Sequence, residues 1–322
     1  MDKGGRVDLS SPRWDQSTFS GRFRHFLAIT DTRLLFKSDK ELDKAIEVVS
    51  AHNRGEHVEG YTADQLWAAK HLVDSAIHPD TGEKMWWLGS MSFQVPGGML
   101  ITGAMLAWYK TFAAVFFWQW VNQSFNAVVN YTNRNAKSTI TDQQVALAYT
   151  SATAGATSVA LVFRNLTKRA PPLLQRYAPF AAVAAANCIN IPLMRQRELL
   201  DGILVTDEHG EELGYSRKAA KKAVAQVCFS RITMAAPGML FVPIVMELLE
   251  KKSFYQRARY LNAPIQTLLV GMSLCVMVPF GCSLFPQKST MDVKKLEPRL
   301  QKSIAARPDG SSIRRVFYNK GL

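Results

Sequence analysis

Five long apolar stretches, separated by strongly charged connections, occupy the chain at Val95–Val121, Val145–Phe163, Tyr177–Met194, Val224–Leu249 and Pro264–Leu284. A hydrocarbon core of about 30 Å takes about 20 helical residues to cross, and each stretch meets or nearly meets that length. A backbone in hydrocarbon must satisfy its own hydrogen bonds, which makes these segments helices. The pattern predicts an all-α polytopic membrane protein with about five transmembrane helices. It divides into a hydrophilic N-terminal region with short helices (1–94), a helical bundle (95–286) and a basic C-terminal tail (287–322). Five spans place the two termini on opposite sides.

Mean hydropathy over the whole chain is near zero only because the N-terminal residues dilute the spans. The net charge of +13 would suggest nucleic acid on a soluble chain. Here Lys and Arg lie mostly in the tails and connections, where they meet anionic headgroups and influence topology, so the expected partner is the bilayer and not nucleic acid. Their distribution shows no clear asymmetry between the two sides, and no orientation follows. Cys188, Cys228, Cys275 and Cys282 fall within or beside the spans, without a CxxC pair or a His at ligand spacing. They read as packing thiols; no metal site and no cofactor are expected. The N-terminus lacks the early apolar core of a secretory signal. Asp2, Asp8, Asp15 and Asp31 make it a poor cleavable mitochondrial presequence, so organelle targeting is expected to be internal.

Residues 1–36 read as an irregular, partly amphipathic segment with Trp14, Phe19, Phe23 and Phe26 as candidate anchors. Ser38 with Glu41, and Thr62 with Gln65, are capping-box patterns that open helices to about His52 and Ile77. No strand pattern stands out in this region. His78-Pro79-Asp80-Thr81-Gly82-Glu83 has the chemistry of a tight turn: Pro fixes its own φ and Gly tolerates a positive one. A catalytic or metal role for His78, Asp80 and Glu83 is the competing reading. Trp86 and Trp87 suit an interfacial aromatic belt.

The spans carry polar groups that a lipid-facing helix would avoid. Lys110 interrupts the first, which is either one long tilted helix or a short piece followed by a true span. Asn122, Asn126 and Asn130 recur every fourth residue, on one helical face, with Gln119 and Gln123 beside them. Such a stripe either glues helices together or lines a polar path. The second span is rich in Ala, Ser, Thr and Gly, which let backbones approach closely. In the third, Asn187 and Asn190 precede Pro192, and Arg195 follows directly. Arg231 and Pro237-Gly238 mark the fourth span, Pro264 and Pro279 the fifth. Amides beside interrupted helices suit a polar solute. The candidate binding set is therefore Asn122, Gln123, Asn126, Asn130, Asn187, Asn190 and Arg195. The connection from Arg195 to Lys222 is polar, with a solvated turn at Asp207-Glu208-His209-Gly210, and the tail from Gln287 is basic and partly helical.

Pro12-Arg13-Trp14-Asp15-Gln16, the segment His78–Glu83, Trp118–Arg134, Ala184–Arg197, Leu284-Phe285-Pro286-Gln287-Lys288 and the ending Tyr318-Asn319-Lys320-Gly321-Leu322 resemble the sideroflexins over essentially the whole chain. The resemblance implies a multi-pass protein of the mitochondrial inner membrane with about five spans. It implies transport of serine and related small neutral amino acids for one-carbon metabolism, and a link to iron and haem homeostasis. It also marks His78, Asp80, Thr81, Gly82 and Glu83 as a family motif without assigning them a role.

Three functions compete. A carrier of a zwitterion needs donors for the carboxylate and acceptors for the ammonium, which amides, hydroxyls and broken helices supply. The near absence of acids in the spans, Glu247 excepted, favours uncoupled transport over ion-coupled pumping. Direct iron or haem transport would want a defined set of His, carboxylate or thiolate ligands, which the spans lack. An interaction or assembly protein would suit the long hydrophilic N-terminus. No nucleophile, base and orienting group occur together, so no enzyme is expected.

Overall fold

Side-chain caps open the N-terminal helices where the sequence places them. In the computed structural model, which describes residues 7–56, 58, 60–78, 81–133, 141–167, 169–307 and 313–321, helix α1 (Phe19–Ile29) begins at Thr18, whose hydroxyl accepts from the Gly21 amide at 3.1 Å. Helices α2 (Asp39–Asn53) and α3 (Ala63–Ala76) each begin with the expected reciprocal box, Ser38 with Glu41 and Thr62 with Gln65. These caps satisfy first-turn amides that have no intrahelical partner. Leu42, Ala45 and Leu72 hold α2 on α3, while Leu9 covers Val48, Val49 and Leu66. Trp14 does not reach for a membrane; it stacks on His71 with ring centroids 5.4 Å apart.

The bundle follows. Helices α4 (Gln94–Trp108), α5 (Phe112–Thr132), α6 (Asp142–Leu166), the short α7 (Pro172–Gln175), α8 (Ala178–Met194), the short α9 (Gln196–Asp201), α10 (Arg217–Glu250), the short α11 (Ser253–Arg257) and α12 (Asn262–Ser283) run in sequence. Among the described residues, four segments are long and apolar enough to cross a membrane: Gln143–Leu166, Pro172–Met194, Arg217–Glu250 and Arg259–Ser283. The chain is an all-α polytopic membrane protein.

The first apolar stretch departs from a single span. It breaks at Tyr109–Thr111, and Thr111 caps α5 by accepting from the Ala114 amide at 3.1 Å. At this bend Lys110 is exposed, so its ammonium avoids the helix interior. Helices α4 and α5 fold back on each other: Trp108 stacks on Trp118, Phe93 meets Phe125, and Asn133 Nδ2 donates to the Gly89 carbonyl at 2.8 Å. The expectation that the termini lie on opposite sides is thereby corrected. The extra reversal returns the chain, so α1 and the C-terminal tail meet at one end of the bundle. There Arg22, 7% exposed, donates from Nε to the Ser283 carbonyl at 2.8 Å, and Phe26 and Ile29 pack with Met91 and Cys282.

Small residues set the closest helix contacts. Ala148, Ala152, Ala156 and Ala160 form an every-fourth-residue stripe on α6, and each is at most 1% exposed. Ala156 and Ala160 meet Ala182 and Ala186 of α8, as close backbone approach requires. Between α4 and α12, a Cβ at Gly103 would fall 2.3 Å from Thr267 Oγ1, so glycine is needed there. The expected proline interruptions do not appear: Pro192, Pro237 and Pro279 stay inside continuous helices, as does Pro243, and Pro264 sits in the first turn of α12. A proline removes one backbone donor but can be carried where neighbouring helices support the turn.

The connection after α8 and the tail do more than the sequence suggests: they join in one small antiparallel sheet. Strands β1 (Ile203–Thr206), β2 (Glu212–Ser216), β3 (Lys288–Asp292) and β4 (Arg315–Asn319) take the order β2-β1-β4-β3. Asp207 turns the first hairpin, its Oδ1 accepting from the His209 and Glu211 amides at 2.9 and 2.8 Å. Val205, Leu213, Val316 and Tyr318 bury one face against the first turns of α10 (Ala219, Ala220, Ala223) and against Leu300 and Ile304 of helix α13 (Pro298–Ala305). Val205 pairs with Gly214, and Thr206 and Thr290 both face Phe317.

Candidate functional site

At the sheet-bearing end, α4, α5, α10 and α12 diverge around a cavity of about 50 Å³. One water needs roughly 10–15 Å³, so the space suits a solute of a few heavy atoms. Gln94, Asn133, Ser230, Arg231 and Lys320 supply its polar lining; Met91, Val129, Val227, Met234, Val278, Gly281 and Cys282 complete it. Among the described residues two cations therefore face the cavity, and no Asp or Glu lines it. Arg231 Nη2 donates to Asn130 Oδ1 on α5 at 3.3 Å. The Ser230 hydroxyl is buried without a partner. Arrangements of this kind accept an anionic group, with neutral donors and acceptors left over for the rest of a small polar solute.

Lys320 comes from beyond β4, not from a span. It is 1% exposed. Its amide donates to the Gln287 carbonyl at 2.8 Å, and its carbonyl accepts from Arg195 Nη1 at 2.8 Å. The next residue, Gly321, has φ +78°, a left-handed conformation that turns the chain over the Arg195 guanidinium. Burial pushes the Lys320 ammonium down to about 8; Arg195, Arg231 and Arg22 push the same way and Cys282 opposes.

The residues singled out in the sequence are distributed unevenly around this cavity. On α5, Gln119, Asn122 and Gln123 are buried, while Asn126 and Asn130 are half-buried. Gln119 Nε2 donates to the Tyr109 hydroxyl oxygen at 2.6 Å, beside the bend that joins α4 to α5. Gln119 Oε1, Asn122 Nδ2 and Gln123 Nε2 are buried with no partner. Only Asn130 of the stripe bonds a cavity residue. On α8, Asn187 Nδ2 donates to its own helix at Val183 O, 3.0 Å away, and Asn190 is 4% exposed. Among the described residues no hydrogen bond joins the α5 amides to those of α8. Arg195 spends its guanidinium on Glu198, at 2.8 Å from Nε, and on the tail.

The segment His78–Glu83 forms the expected turn away from the cavity lining. The His78 amide donates to the Glu83 carbonyl at 2.9 Å, Gly82 returns a bond to the His78 carbonyl at 2.9 Å with φ +70°, and the Thr81 amide meets His78 Nδ1 at 3.3 Å. Pro79 and Asp80, like Arg134, lie outside the described residues. No group of three metal-ligating side chains occurs among the described residues.

Sequence reasoning passed over the two cavity cations. Arg231 carried a usable signal, because a lone Arg deep in a long apolar helix marks function by default. Lys320 carried none, since nothing in a basic tail says which lysine turns inward.

The family model for sideroflexins matches residues 8–322. The chain is a sideroflexin. This sideroflexin is 55% identical to human sideroflexin-2 over 315 residues and 55% identical to mouse sideroflexin-1 over 317, in each case covering 98% of both chains. Mouse sideroflexin-3 stands beside them at 54% over 316 residues, with the same coverage. Identity to sideroflexin-2 and to the other branches is near-equal. No solved structure matches the chain. The protein is a multi-pass membrane protein of a mitochondrial, carrier-type family.

Proposed function

We propose that this sideroflexin carries a small neutral amino acid, serine above all, across the mitochondrial inner membrane, and that it is a carrier and not an enzyme. The observation that supports this reading is Arg231, paired with the neutral Asn130 rather than an acid, in a cavity sized for a few heavy atoms. A guanidinium without a carboxylate partner holds a substrate carboxylate by charge-assisted hydrogen bonds. Ser230, Gln94 and Asn133 then offer acceptors and donors to the ammonium and hydroxyl. Asn126, Asn122 and Gln123 continue the polar surface along α5, with Asn187 and Asn190 as further candidates on α8. The absence of a carboxylate from the described lining residues favours uncoupled movement. Serine delivery supports one-carbon metabolism, and a link to iron and haem follows indirectly through metabolite supply.

The test is uptake of labelled serine, alanine, glycine and cysteine into liposomes holding the purified protein. Arg231→Gln should abolish serine uptake, and Asn130→Ala and Asn126→Ala should lower it more than they lower folded yield. Proton uptake matching serine uptake one for one would reject the uncoupled route. Wild-type rates in the Arg231 variant would remove the proposed site.

A further inference from the structure

We propose that Lys320 is itself a carboxylate ligand of the transported solute, delivered into the bundle by the C-terminal strand, so that the tail forms part of the binding site. The proposal rests on the carrier reading for the identity of the solute as an amino acid; the site as such asks only for a small carboxylate.

Three observations converge. First, the Lys320 side chain is buried and lines the same cavity as Arg231. Among the described residues its ammonium has no carboxylate and no hydrogen-bond partner. A cation enclosed this far from bulk water without a carboxylate is costly to keep charged, and a hydrophobic side chain of similar size would relieve that cost. Second, the backbone on either side is pinned: the amide to Gln287, the carbonyl to Arg195, and the left-handed Gly321 directly after. These contacts fix the direction of the side chain and leave the ammonium uncommitted. Third, among the described residues, the charged and titratable groups that act on it are Arg22 from α1, Arg195 from the α8–α9 junction, Arg231 from α10 and Cys282 from α12. Three of the four are cations. The missing charge is an anion, and the cavity is where it fits.

Arg195, placed among the solute ligands by sequence, is on this view a positioning residue. It acts through the Lys320 carbonyl rather than by touching solute.

The experiment uses the full-length protein in nanodiscs and compares wild type, Lys320→Met and Lys320→Arg. Binding is read as ligand-induced thermal stabilisation with serine and with serinamide, which lacks the carboxylate; uptake is read in parallel liposomes. Loss of one charge-assisted bond predicts that Lys320→Met weakens serine binding by about tenfold or more. Lys320→Arg should stay within about threefold, because the charge is kept. Serinamide should not distinguish the variants. Serine affinity of wild type should fall as pH rises through about 8, in a Cys282→Ser background as well, and stay flat in Lys320→Arg. If Lys320→Met fails to fold, Lys320→Gln replaces it. Equal serine affinity in wild type and Lys320→Met overturns the proposal while leaving the carrier reading intact. Should wild type bind no serine but bind lactate or acetate, the carrier reading for serine fails and the same variant comparison with that probe decides Lys320. Binding of no small carboxylate at all overturns both.

Discussion

An unpaired buried amide is worth little to stability, and α5 carries three residues with such atoms: Gln119 Oε1, Asn122 Nδ2 and Gln123 Nε2. Leaving a buried polar atom unsatisfied costs about 1–3 kcal/mol, whereas replacing it with an apolar group of similar shape is neutral or stabilising. Gln123→Leu is therefore expected to hold or raise the thermal unfolding temperature in detergent while lowering serine uptake. A fall in both would mean that Gln123 only packs. The second prediction at this scale concerns acid. Burial holds the His71 imidazole down at about 4, with His25 pushing the same way, against about 6.5 in an unfolded chain. The unfolded state thus binds the extra proton first, and stability drops as pH falls from about 6.5 towards 4. A thermal melt at pH 7.5 and at pH 5 should show that drop, and His71→Phe, which keeps a ring against Trp14, should reduce it.

Elements differ in how openly their sequences announce them. The caps of α2 and α3 were legible, because Ser38/Glu41 and Thr62/Gln65 are local chemistry that needs no tertiary partner. The small-residue character of α6 was legible too, and its consequence is specific. Ala156→Leu forces a branched side chain into the seam with Ala182 and Ala186 and is expected to cost about 1–3 kcal/mol by overpacking. Thr150→Leu, on an exposed face of the same helix, should leave the melt unchanged. The sheet was not legible. Its strands are four or five residues long, and Lys288-Ser289-Thr290-Met291-Asp292 has almost no apolar alternation; it becomes a strand by pairing with Arg315–Asn319, far along the chain. The bend at Tyr109–Thr111 was half legible. Lys110 flagged a disturbance, but only the packing of α5 back on α4 shows that a reversal resolves it. At the site, Asn130 was found by its spacing and Arg231 was seen without being chosen. Lys320 depends on a tail whose fold is set by contacts over a hundred residues away, such as that from Arg195.

The whole molecule is lopsided. Among the described residues, helices α1–α3, the connection with its hairpin, and the tail with α13 sit at one end, and the connections around residues 109–111, 169–177 and 251–261 lie at the other. A protease added to sealed proteoliposomes should accordingly release both terminal segments from the same face. Removal of one terminus from each face would contradict the reversal at Tyr109. The same asymmetry bears on how a cell builds the protein. Three helical hairpins, α4 with α5, α6 with α8 and α10 with α12, can each enter the bilayer as a loop whose leading edge is only a few to about a dozen residues. Where insertion starts from the face that carries the termini, the bulky folded parts among the described residues remain on that face. The insertion machinery then never has to thread a domain through the lipid, and the C-terminal strand, last to be made, is still on the right side to close the cavity that the earlier hairpins leave open.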